Sequence, residues 1–295
     1  MLEHLNTTPV KPSRVVVIGA GGFVGGAIIK RLAKHNVKTL ALTRRQIDLL
    51  LPDAGAKLKA VLRPDDSVVM VSAIAPAKNA AMLMQNLRIA ESVCQALESS
   101  PVHHLLYISS DAVYADDANP VNEQSYCAPS TPHGMMHAAR ELMFKTTTQG
   151  PVAMLRPTLI YGAEDPHNGY GPNRFRRQAQ KHEPIPLFGE GEEQRDHVSV
   201  DDVAELARLM LFHRSRGALN AATGVATSFN RIAHIVANQF EYKVEVRELP
   251  RTVPRPHLAH RFFDVTSCYQ AFPAFRFMPL EEGLALAKKL SEENG

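Results

Sequence analysis

The chain has 295 residues, of which 45% are hydrophobic and 21% charged, and its formal net charge at pH 7 is +3. This length is enough for one large globular unit or for two small domains that share a core. The mild charge argues against nucleic-acid binding, and no apolar run reaches the roughly 20 residues of a membrane span. No signal-peptide pattern is found either, so we expect a cytoplasmic protein without a membrane partner. The three cysteines are far apart, which indicates neither disulfides nor a Cys-based zinc site.

Residues 1–13 contain two prolines and no hydrophobic periodicity, which predicts a flexible tail. From Arg14 onward, β-branched runs alternate with helical patterns. The predicted strands are RVVVIGA, VKTLALT, DSVVMVSA, LLYISS and PVAMLRPTLIY, and the predicted helices are AIIKRLAKH, residues 82–97 and residues 134–149. Because a parallel connection must cross over, usually through a helix, this alternation predicts an α/β protein with a doubly wound parallel sheet.

The composition changes after Tyr161, where GAEDPHNGYGPN predicts an exposed loop. Two further helices are predicted beyond this loop, DDVAELARLMLFH and FNRIAHIVANQF, without repeated strand–helix units. We therefore predict a larger α/β domain over residues 14–165 and a smaller C-terminal domain over residues 166–295. The two domains are expected to exchange segments if the chain returns to the first sheet.

The segment VVVIGAGGFVGG places Gly19, Gly22 and Gly25 at the turn between the first strand and the first helix. A turn without side chains lets backbone N–H groups approach a pyrophosphate at the positive end of a helix. This placement predicts a dinucleotide site of the Rossmann type, to which Phe23 and Val24 at the helix start are expected to contribute. A glycine turn that serves only tight packing is the alternative.

The end of the second predicted strand bears on which dinucleotide would bind. NAD sites usually carry an acidic residue about 20 positions beyond the glycines. This sequence has Thr43, Arg44 and Arg45 in that place. A carboxylate would repel a 2′-phosphate whereas a guanidinium binds it, so the segment favours NADP over NAD. The alternative is that these arginines face water and that the cofactor is NAD.

In this order, the motifs resemble those of the extended short-chain dehydrogenase/reductase family, the NAD(P)-dependent epimerases and dehydratases of nucleotide sugars. The resemblance runs from about residue 14 to about residue 240, and its most specific segment is QRDHVSVDDVAEL. It implies further cofactor contacts from Asp48 at adenine, from Ser72 and Ala73 in SAIAP, from Asn86 on the next helix and from Pro157 beside the nicotinamide. It also implies that Ser110 in ISSDAVY is the catalytic hydroxyl and that Arg195 binds the diphosphate of the substrate.

Two more residues are candidates for substrate binding. Arg174 shares one face of the predicted helix RFRRQAQK with two other basic residues. This cluster of positive charge predicts a binding site for a diphosphate. A solvated helix face is the alternative for this group. Asp111 follows the candidate hydroxyl directly and is also assigned to the substrate. For Arg195, the alternative to substrate binding is an ion pair with a nearby aspartate such as Asp196.

The family pairs a catalytic tyrosine with a lysine four positions later, and the phenol of that tyrosine exchanges a proton with the substrate. Here the corresponding window reads HGMMHAARE, with His133 and His137 at those two positions. No tyrosine of the chain has a lysine four residues later. Three interpretations are open. The histidines hold a metal ion, they replace the tyrosine–lysine dyad, or the catalytic activity has been lost.

The metal interpretation lacks ligands, because the glutamate of HExxH is absent and no cysteine is near, so we expect no metal site. If the histidines replace the dyad, His133 is the acid/base, since imidazole titrates around pH ~6.5, and His137 is a donor to the nicotinamide ribose. If the chemistry is lost, the protein is an NADP-binding sensor or structural partner. Tyr126 in the upstream loop is a further candidate phenol.

Together these motifs predict an oxidoreductase that uses NADP for epimerisation, dehydration or reduction of a nucleotide sugar. Related enzymes associate through two helices, which here correspond to residues 80–97 and residues 134–149. The resemblance therefore implies a homodimer. The alternative is that the apolar faces of these helices only cover the sheet.

Overall fold

The computed structural model describes residues 2–251 and 260–293. Within these ranges the strands are β1 (Glu3–His4), β2 (Arg14–Ile18), β3 (Thr39–Leu42), β4 (Asp66–Met70), β5 (His104–Ile108), β6 (Val152–Pro157), β7 (Leu159–Tyr161), β8 (Ile185–Phe188), β9 (Gln194–Ser199), β10 (Ser215–Ala221), β11 (Ala226–Ser228) and β12 (Val246–Leu249). The α-helices are α1 (Phe23–Lys34), α2 (Ala54–Val61), α3 (Ala80–Ser99), α4 (Pro132–Thr147), α5 (Pro172–Gln180), α6 (Val200–Phe212), α7 (Phe229–Ala237), α8 (Thr266–Ala271) and α9 (Leu280–Glu293). None of these helices is both long and apolar enough to cross a lipid bilayer.

The large sheet has the strand order β1-β10-β6-β5-β4-β2-β3. Its neighbouring strands are parallel, except that β1 runs antiparallel to β10. The predicted α/β fold with a doubly wound parallel sheet is thereby confirmed. The chain passes from β2 to β3 on one side and then to β4 on the other side of β2. In such sheets a crevice opens at the carboxyl ends of the strands where the order reverses.

The hydrophobic core lies on both faces of this sheet. Val15 and Val17 of β2 belong to the cluster under α1 and α6, whereas Val16 and Ile18 belong to the cluster under α2, α3 and α4. All four side chains are at most 3% exposed. This two-sided burial explains why the strand is a continuous apolar run rather than an alternating one.

A smaller unit carries the three-stranded sheet β11-β9-β7, the pair β12-β8 and the helices α5, α7 and α9. Its core contains Phe175, Ile185, Phe229 and Ile232, which are fully buried. Between parts of this unit, α6 and β10 return to the large sheet. Segments that follow residue 165 in the sequence therefore contribute a strand and a covering helix to the large sheet.

A buried aspartate joins the two units. Asp196 on β9 is 1% exposed and accepts hydrogen bonds from Thr158 Oγ1 at 3.1 Å, from Thr223 N at 3.0 Å and from Gly224 N at 2.8 Å. Thr158 stands between β6 and β7, and the other two residues stand between β10 and β11. One carboxylate thus binds both places where the chain passes from the large sheet to the small one.

The N-terminal segment differs from the predicted flexible tail. Glu3 and His4 form β1 at the edge of the sheet, beside Arg216 and Ser215. His4 Nδ1 lies 2.8 Å from Ser215 Oγ, and Val10 N donates to Phe212 O at 2.9 Å. These long-range contacts are made by backbone groups and polar side chains, which leave no hydrophobic period in the sequence.

His104 is a fully buried histidine on β5. Its Nε2 lies 2.7 Å from the carbonyl oxygen of Ser215, so Nε2 carries the proton and donates. Nδ1 has no hydrogen-bond partner in the described part of the chain. Burial lowers the pKa of His104 to about 4, from an ordinary value of 6.5.

Because the folded protein resists protonation of His104, the free energy of unfolding should fall as the pH decreases from 6.5 towards 4. This contribution is fully present above pH 6.5, and its loss approaches about 3 kcal/mol near pH 4. The variant His104→Gln keeps a donor near the Nε2 position and cannot titrate, so urea unfolding between pH 7 and pH 4 should show a flatter profile. His234→Gln, at an exposed histidine of α7, is the control. A wild-type profile in His104→Gln would contradict the assignment.

Candidate functional site

A cleft of about 1650 Å³ opens at the carboxyl ends of β2, β3, β4 and β5, between the large sheet and the smaller unit. Its walls include the glycine turn after β2, the start of α4 and the segment before α5. The carboxyl ends of parallel strands meet at one edge of a sheet, so the predicted site residues from distant segments converge here.

The glycine turn forms the inner wall of the cleft. Gly19 has φ +98°, and a Cβ there would lie 2.6 Å from Ser72 N, so only glycine fits. Gly22 is the N-cap of α1 and makes no side-chain cap, which leaves backbone N–H groups of the first turn free for a ligand. Gly19, Gly22, Phe23 and Val24 line the cleft, whereas a Cβ on Gly25 would overlap Gly19 O. Gly25 thus serves close packing of turn and helix.

The segment after β3 forms one end of the cleft, lined by Thr43, Arg44, Arg45 and Asp48. Arg44 Nε donates to Asp48 Oδ2 at 3.1 Å, and the Arg44 side chain is 76% exposed. The hydrogen bond from Leu50 N, followed by the contact with Arg44, lowers the pKa of Asp48. The two guanidiniums therefore stand at an accessible rim beside an ionised carboxylate.

The segment after β4 packs directly against the glycine turn. Ser72 and Ala73 line the cleft, as does Pro157 at the end of β6. Asn86 is fully buried behind this wall, where its Oδ1 accepts from Ile74 N and its Nδ2 donates to Ile74 O, both at 2.9 Å. Asn86 therefore shapes the lining segment from behind and is not on the cleft surface.

The three predicted catalytic residues lie on the turn after β5 and on α4. Ser110 caps a 3-10 turn (Asp111–Val113), and its Oγ accepts from Ala112 N at 3.1 Å. His133 and His137 lie on the first two turns of α4, with their ring centroids 4.7 Å apart and their planes nearly perpendicular. All three residues line the cleft.

The start of α4 lies very close to the turn that carries Ser110. A Cβ on Gly134 would overlap the carbonyl oxygen of Ala112, so this approach requires glycine. Farther along α4, Glu141 accepts two hydrogen bonds from Arg156 on β6, at 2.6 and 2.8 Å, and one from Ser109 Oγ at 2.7 Å. These contacts fix the helix that presents the two histidines.

The two imidazoles differ in their surroundings. His137 is 6% exposed, and its Nδ1 lies 2.7 Å from the hydroxyl of Tyr107. His133 is half-buried, and its Nδ1 lacks a partner among the described residues. Burial is the main cause that lowers the pKa of both histidines, and it is opposed at His133 by the charge of Asp111. Both rings are therefore predominantly neutral at pH 7.

No three His, Cys, Asp or Glu side chains of the described residues are grouped so that they could hold a metal ion. Tyr126 is 86% exposed and does not line the cleft. Within the described ranges, no third side chain is placed with His133 and His137 as a metal ligand, and the Tyr126 phenol lies outside the cleft lining.

The predicted substrate residues divide into two groups. Arg195 and Asp111 line the cleft and form an ion pair, with Arg195 Nη2 3.4 Å from Asp111 Oδ2. Asp196, the alternative partner of Arg195, instead binds the junction between the two units. Arg174 is half-buried on α5 but is not among the residues that line the cleft. The prediction for Arg174 is therefore not supported by its position.

Arg261 is a cleft residue that the sequence reasoning missed. It is 3% exposed, and it donates to Asp111 O at 3.2 Å and to Ala115 O at 2.7 Å. The Nε atoms of Arg195 and Arg261 are buried without partners within the described residues. Arg261 lies 150 positions from Asp111 in the sequence, so no local motif connects the two residues. Its neighbours are two phenylalanines, and such a segment indicates core packing rather than a binding site.

A glycine turn at the reversal point of a parallel sheet, opening on a deep cleft, defines a dinucleotide-binding α/β protein. Residues 15–253 match the model of the NAD dependent epimerase/dehydratase family, so the chain belongs to this family. The resemblance to the extended short-chain dehydrogenase/reductases is thereby confirmed.

Solved structures with the same fold include UDP-glucose 4-epimerase of Thermotoga maritima with UDP-glucose, at 20% identity and a TM-score of 0.82, covering 95% of this chain and 99% of the other. MoeE5 in complex with UDP-glucose and NAD has 22% identity and a TM-score of 0.82 over the same shares of the two chains. A GDP-L-fucose synthetase of Naegleria fowleri bound to NADP has 15% identity and a TM-score of 0.86, covering 99% of this chain and 97% of the other. At these identities the likeness shows the fold.

The packing role of Gly25 can be tested without any ligand. Gly25→Ala should lower the free energy of unfolding by about 2 kcal/mol, because the added methyl group overlaps the Gly19 backbone. Gly26→Ala is the matched control, since its Cβ would find only Ala20 O, at 3.8 Å. Alanine favours a helix by about 1 kcal/mol over glycine, so Gly26→Ala should be as stable as wild type or more so. Equal stability of the two variants in urea unfolding would contradict the packing role.

Proposed function

We propose that this protein is an NADP-dependent oxidoreductase of the epimerase, dehydratase or reductase type that acts on a nucleotide sugar. The observation that carries the proposal is the single cleft, whose wall joins the glycine turn, the group Ser110, His133 and His137, and two buried arginines. This arrangement brings together a place for a dinucleotide, groups for proton transfer and cations for a diphosphate. Each of the three parts is supported by different residues.

The glycine turn fits a dinucleotide, because it lines the cleft and because the start of α1 has no side-chain cap, which leaves N–H groups of its first turn available to a phosphate. Bound there, a nicotinamide nucleotide supplies or accepts the hydride. Arg44 and Arg45 support NADP, since guanidiniums bind a 2′-phosphate bidentately. The related structures include one with NAD and one with NADP, which agrees with a nicotinamide cofactor of either kind.

Arg195 and Arg261 support an anionic substrate. Their buried guanidiniums share the carboxylate of Asp111, at 3.4 and 3.9 Å, and Asp116 stands half-exposed at 3.8 Å from Arg261. The unpartnered Nε atoms are donors that a diphosphate oxygen could satisfy. The nucleotide sugars bound by relatives of the same fold carry such a diphosphate.

His133 is the group assigned to proton transfer. Its ring lines the cleft, is half-buried and is neutral at pH 7, so it can accept a proton from a substrate hydroxyl. Ser110 stands on the neighbouring turn, where its hydroxyl can bridge to the same substrate oxygen. His137 is assigned to a ribose hydroxyl of the cofactor.

A second function, NADP binding without catalysis, is favoured by one observation. Both imidazoles are predominantly neutral at pH 7, so His137, at the position of the family's lysine, does not supply the positive charge that activates a phenol in the family. In that case the protein would bind NADP and a nucleotide sugar and would release both without a chemical change. The turnover test below separates the two functions.

The cofactor proposal predicts a preference for the phosphorylated dinucleotide. Titration by fluorescence should show tighter binding of NADPH than of NADH. Replacing both arginines, in Arg44→Ala/Arg45→Ala, should raise the Kd of NADPH about 10-fold or more and leave that of NADH nearly unchanged, because charged hydrogen bonds to a phosphate are lost. Arg88→Ala, on the exposed face of α3, is the control. Equal affinity of the wild type for both dinucleotides would defeat the argument from Arg44 and Arg45.

The catalytic proposal predicts turnover of at least one compound in a nucleotide-sugar panel. In His133→Phe the turnover should fall by at least about 100-fold, since general acid–base catalysis is lost, while NADPH still binds. His234→Phe, on the exposed side of α7, should behave as wild type. Unchanged turnover in His133→Phe would exclude His133 as the proton carrier, and no turnover on the whole panel would favour the binding function.

We also propose that the chain forms a homodimer through α3 and α4. Three large apolar side chains are exposed on these helices, Met84 at 50%, Met135 at 47% and Leu142 at 63%. Burying them between two copies would remove apolar surface from water. Sedimentation should show a dimer that Leu142→Glu weakens towards monomer, whereas Val225→Glu, at a similarly exposed residue of the smaller unit, should not. A monomeric wild type at micromolar concentration would refute the dimer.

A further inference from the structure

Tyr107 lies directly behind His137. Its side chain on β5 is 1% exposed, and its hydroxyl is 2.7 Å from His137 Nδ1. Among the described residues, His137 is the one hydrogen-bond partner of this hydroxyl. The phenol is also far from solvent, and burial raises its pKa. Tyr107 therefore remains protonated, and among the described residues its hydroxyl can donate a hydrogen bond only to His137.

This contact determines which nitrogen of His137 carries the proton. A phenol has one proton, and a neutral imidazole has one donor and one acceptor nitrogen. If Nδ1 were protonated, the Tyr107 proton would be buried without an acceptor, at a cost of about 1–3 kcal/mol. The favoured arrangement has Tyr107 donating to Nδ1, so that the proton of His137 is on Nε2. The Nε2 edge is the one turned away from Tyr107, in a residue that lines the cleft.

Arg140 adds an electrostatic constraint. Its guanidinium is fully buried, lies 5.1 Å from the centre of the Tyr107 ring and donates to Ser72 O at 2.8 Å. Within the described residues it has no carboxylate partner, so a positive charge stands uncompensated beside the imidazole. The groups that act on His137 are Arg140 and His133 on its own helix and Tyr107 on β5. After burial, His133 and then Arg140 lower the pKa of His137.

We propose that Tyr107 is a positioning residue that holds His137 as the neutral Nε2–H tautomer, so that His137 meets a ligand only as a hydrogen-bond donor. His137 then takes no part in proton transfer, which is left to His133. The tautomer itself is independent of the proposed function. The ligand it would bind, a ribose hydroxyl of NADP, rests on the proposed function.

The tautomer can be measured in the free protein. Long-range ¹H–¹⁵N correlation spectra of protein labelled at its 13 histidines distinguish Nδ1–H, Nε2–H and cationic rings, and His137→Gln identifies the signal of His137. We expect the Nε2–H pattern for His137 from pH 8 to pH 5. Tyr107→Phe should replace it by a mixture of tautomers, while Tyr114→Phe, which removes another buried hydroxyl, should leave it unchanged. An Nδ1–H or cationic His137 at pH 7 in the wild type, or an unaltered pattern in Tyr107→Phe, would overturn the proposal.

Binding supplies an independent measurement. Because the donor to the ribose is no longer fixed, Tyr107→Phe should raise the Kd of NADPH about 5-fold, with Tyr114→Phe close to wild type. Loss of the tautomer without any change in Kd would overturn the assignment of His137 as the donor. If the wild type binds neither NADPH nor NADH, the proposed function fails, and the spectra still decide on the role of Tyr107. If Tyr107→Phe does not fold, the wild-type spectrum alone decides on the tautomer.

Discussion

The constraint on which the structure depends is that six of the seven strands of the large sheet are parallel, and that its central strands are buried on both faces. Parallel neighbours must be joined by crossovers, and the crossover helices cover both sides of the sheet. The loop that follows each of the six parallel strands therefore starts at the same edge of the sheet. The glycine turn after β2, the wall after β4 and the Ser110 turn after β5 meet in one cleft for this reason, although they are about 90 residues apart in the sequence.

Two consecutive buried residues of α4, Arg140 and Glu141, differ in whether their charge is paired with an opposite charge. Glu141 is matched by the guanidinium of Arg156 and by a serine hydroxyl, so its ionised form has the partners that burial requires. Among the described residues, Arg140 contacts only a backbone carbonyl, a sulfur atom and two aromatic rings. The first residue fastens the helix to the sheet, and the second sets the potential next to His137. A helix that lacks the family's lysine thus still carries a cation, one turn farther along and behind the cleft wall.

The sequence predicted the fold class because strand and helix periodicities are local signals. It also predicted that the glycine turn, Ser110, His133 and His137 belong together, since the motifs follow the family order. The contacts of Glu3 and His4 and the position of Arg261 were missed, because they depend on partners more than 140 residues away. The sequence placed Arg174 at the substrate by helix periodicity, but which face of α5 meets the cleft is decided by tertiary packing. The partner of His137 was likewise invisible, since Tyr107 reads as an ordinary core residue.

The junction around Asp196 has a mechanical consequence. A hinge between two units needs a few residues that can absorb large changes of φ and ψ. Here β6 continues into β7 through Thr158 alone, whose N–H is bound to Ala221 O and whose hydroxyl is bound to Asp196. Since β10 and β11 are tied to the same carboxylate, rotation of one unit would break several buried hydrogen bonds at once. These hydrogen bonds oppose rotation of one unit against the other, so we expect the cleft to have its shape before a ligand enters it.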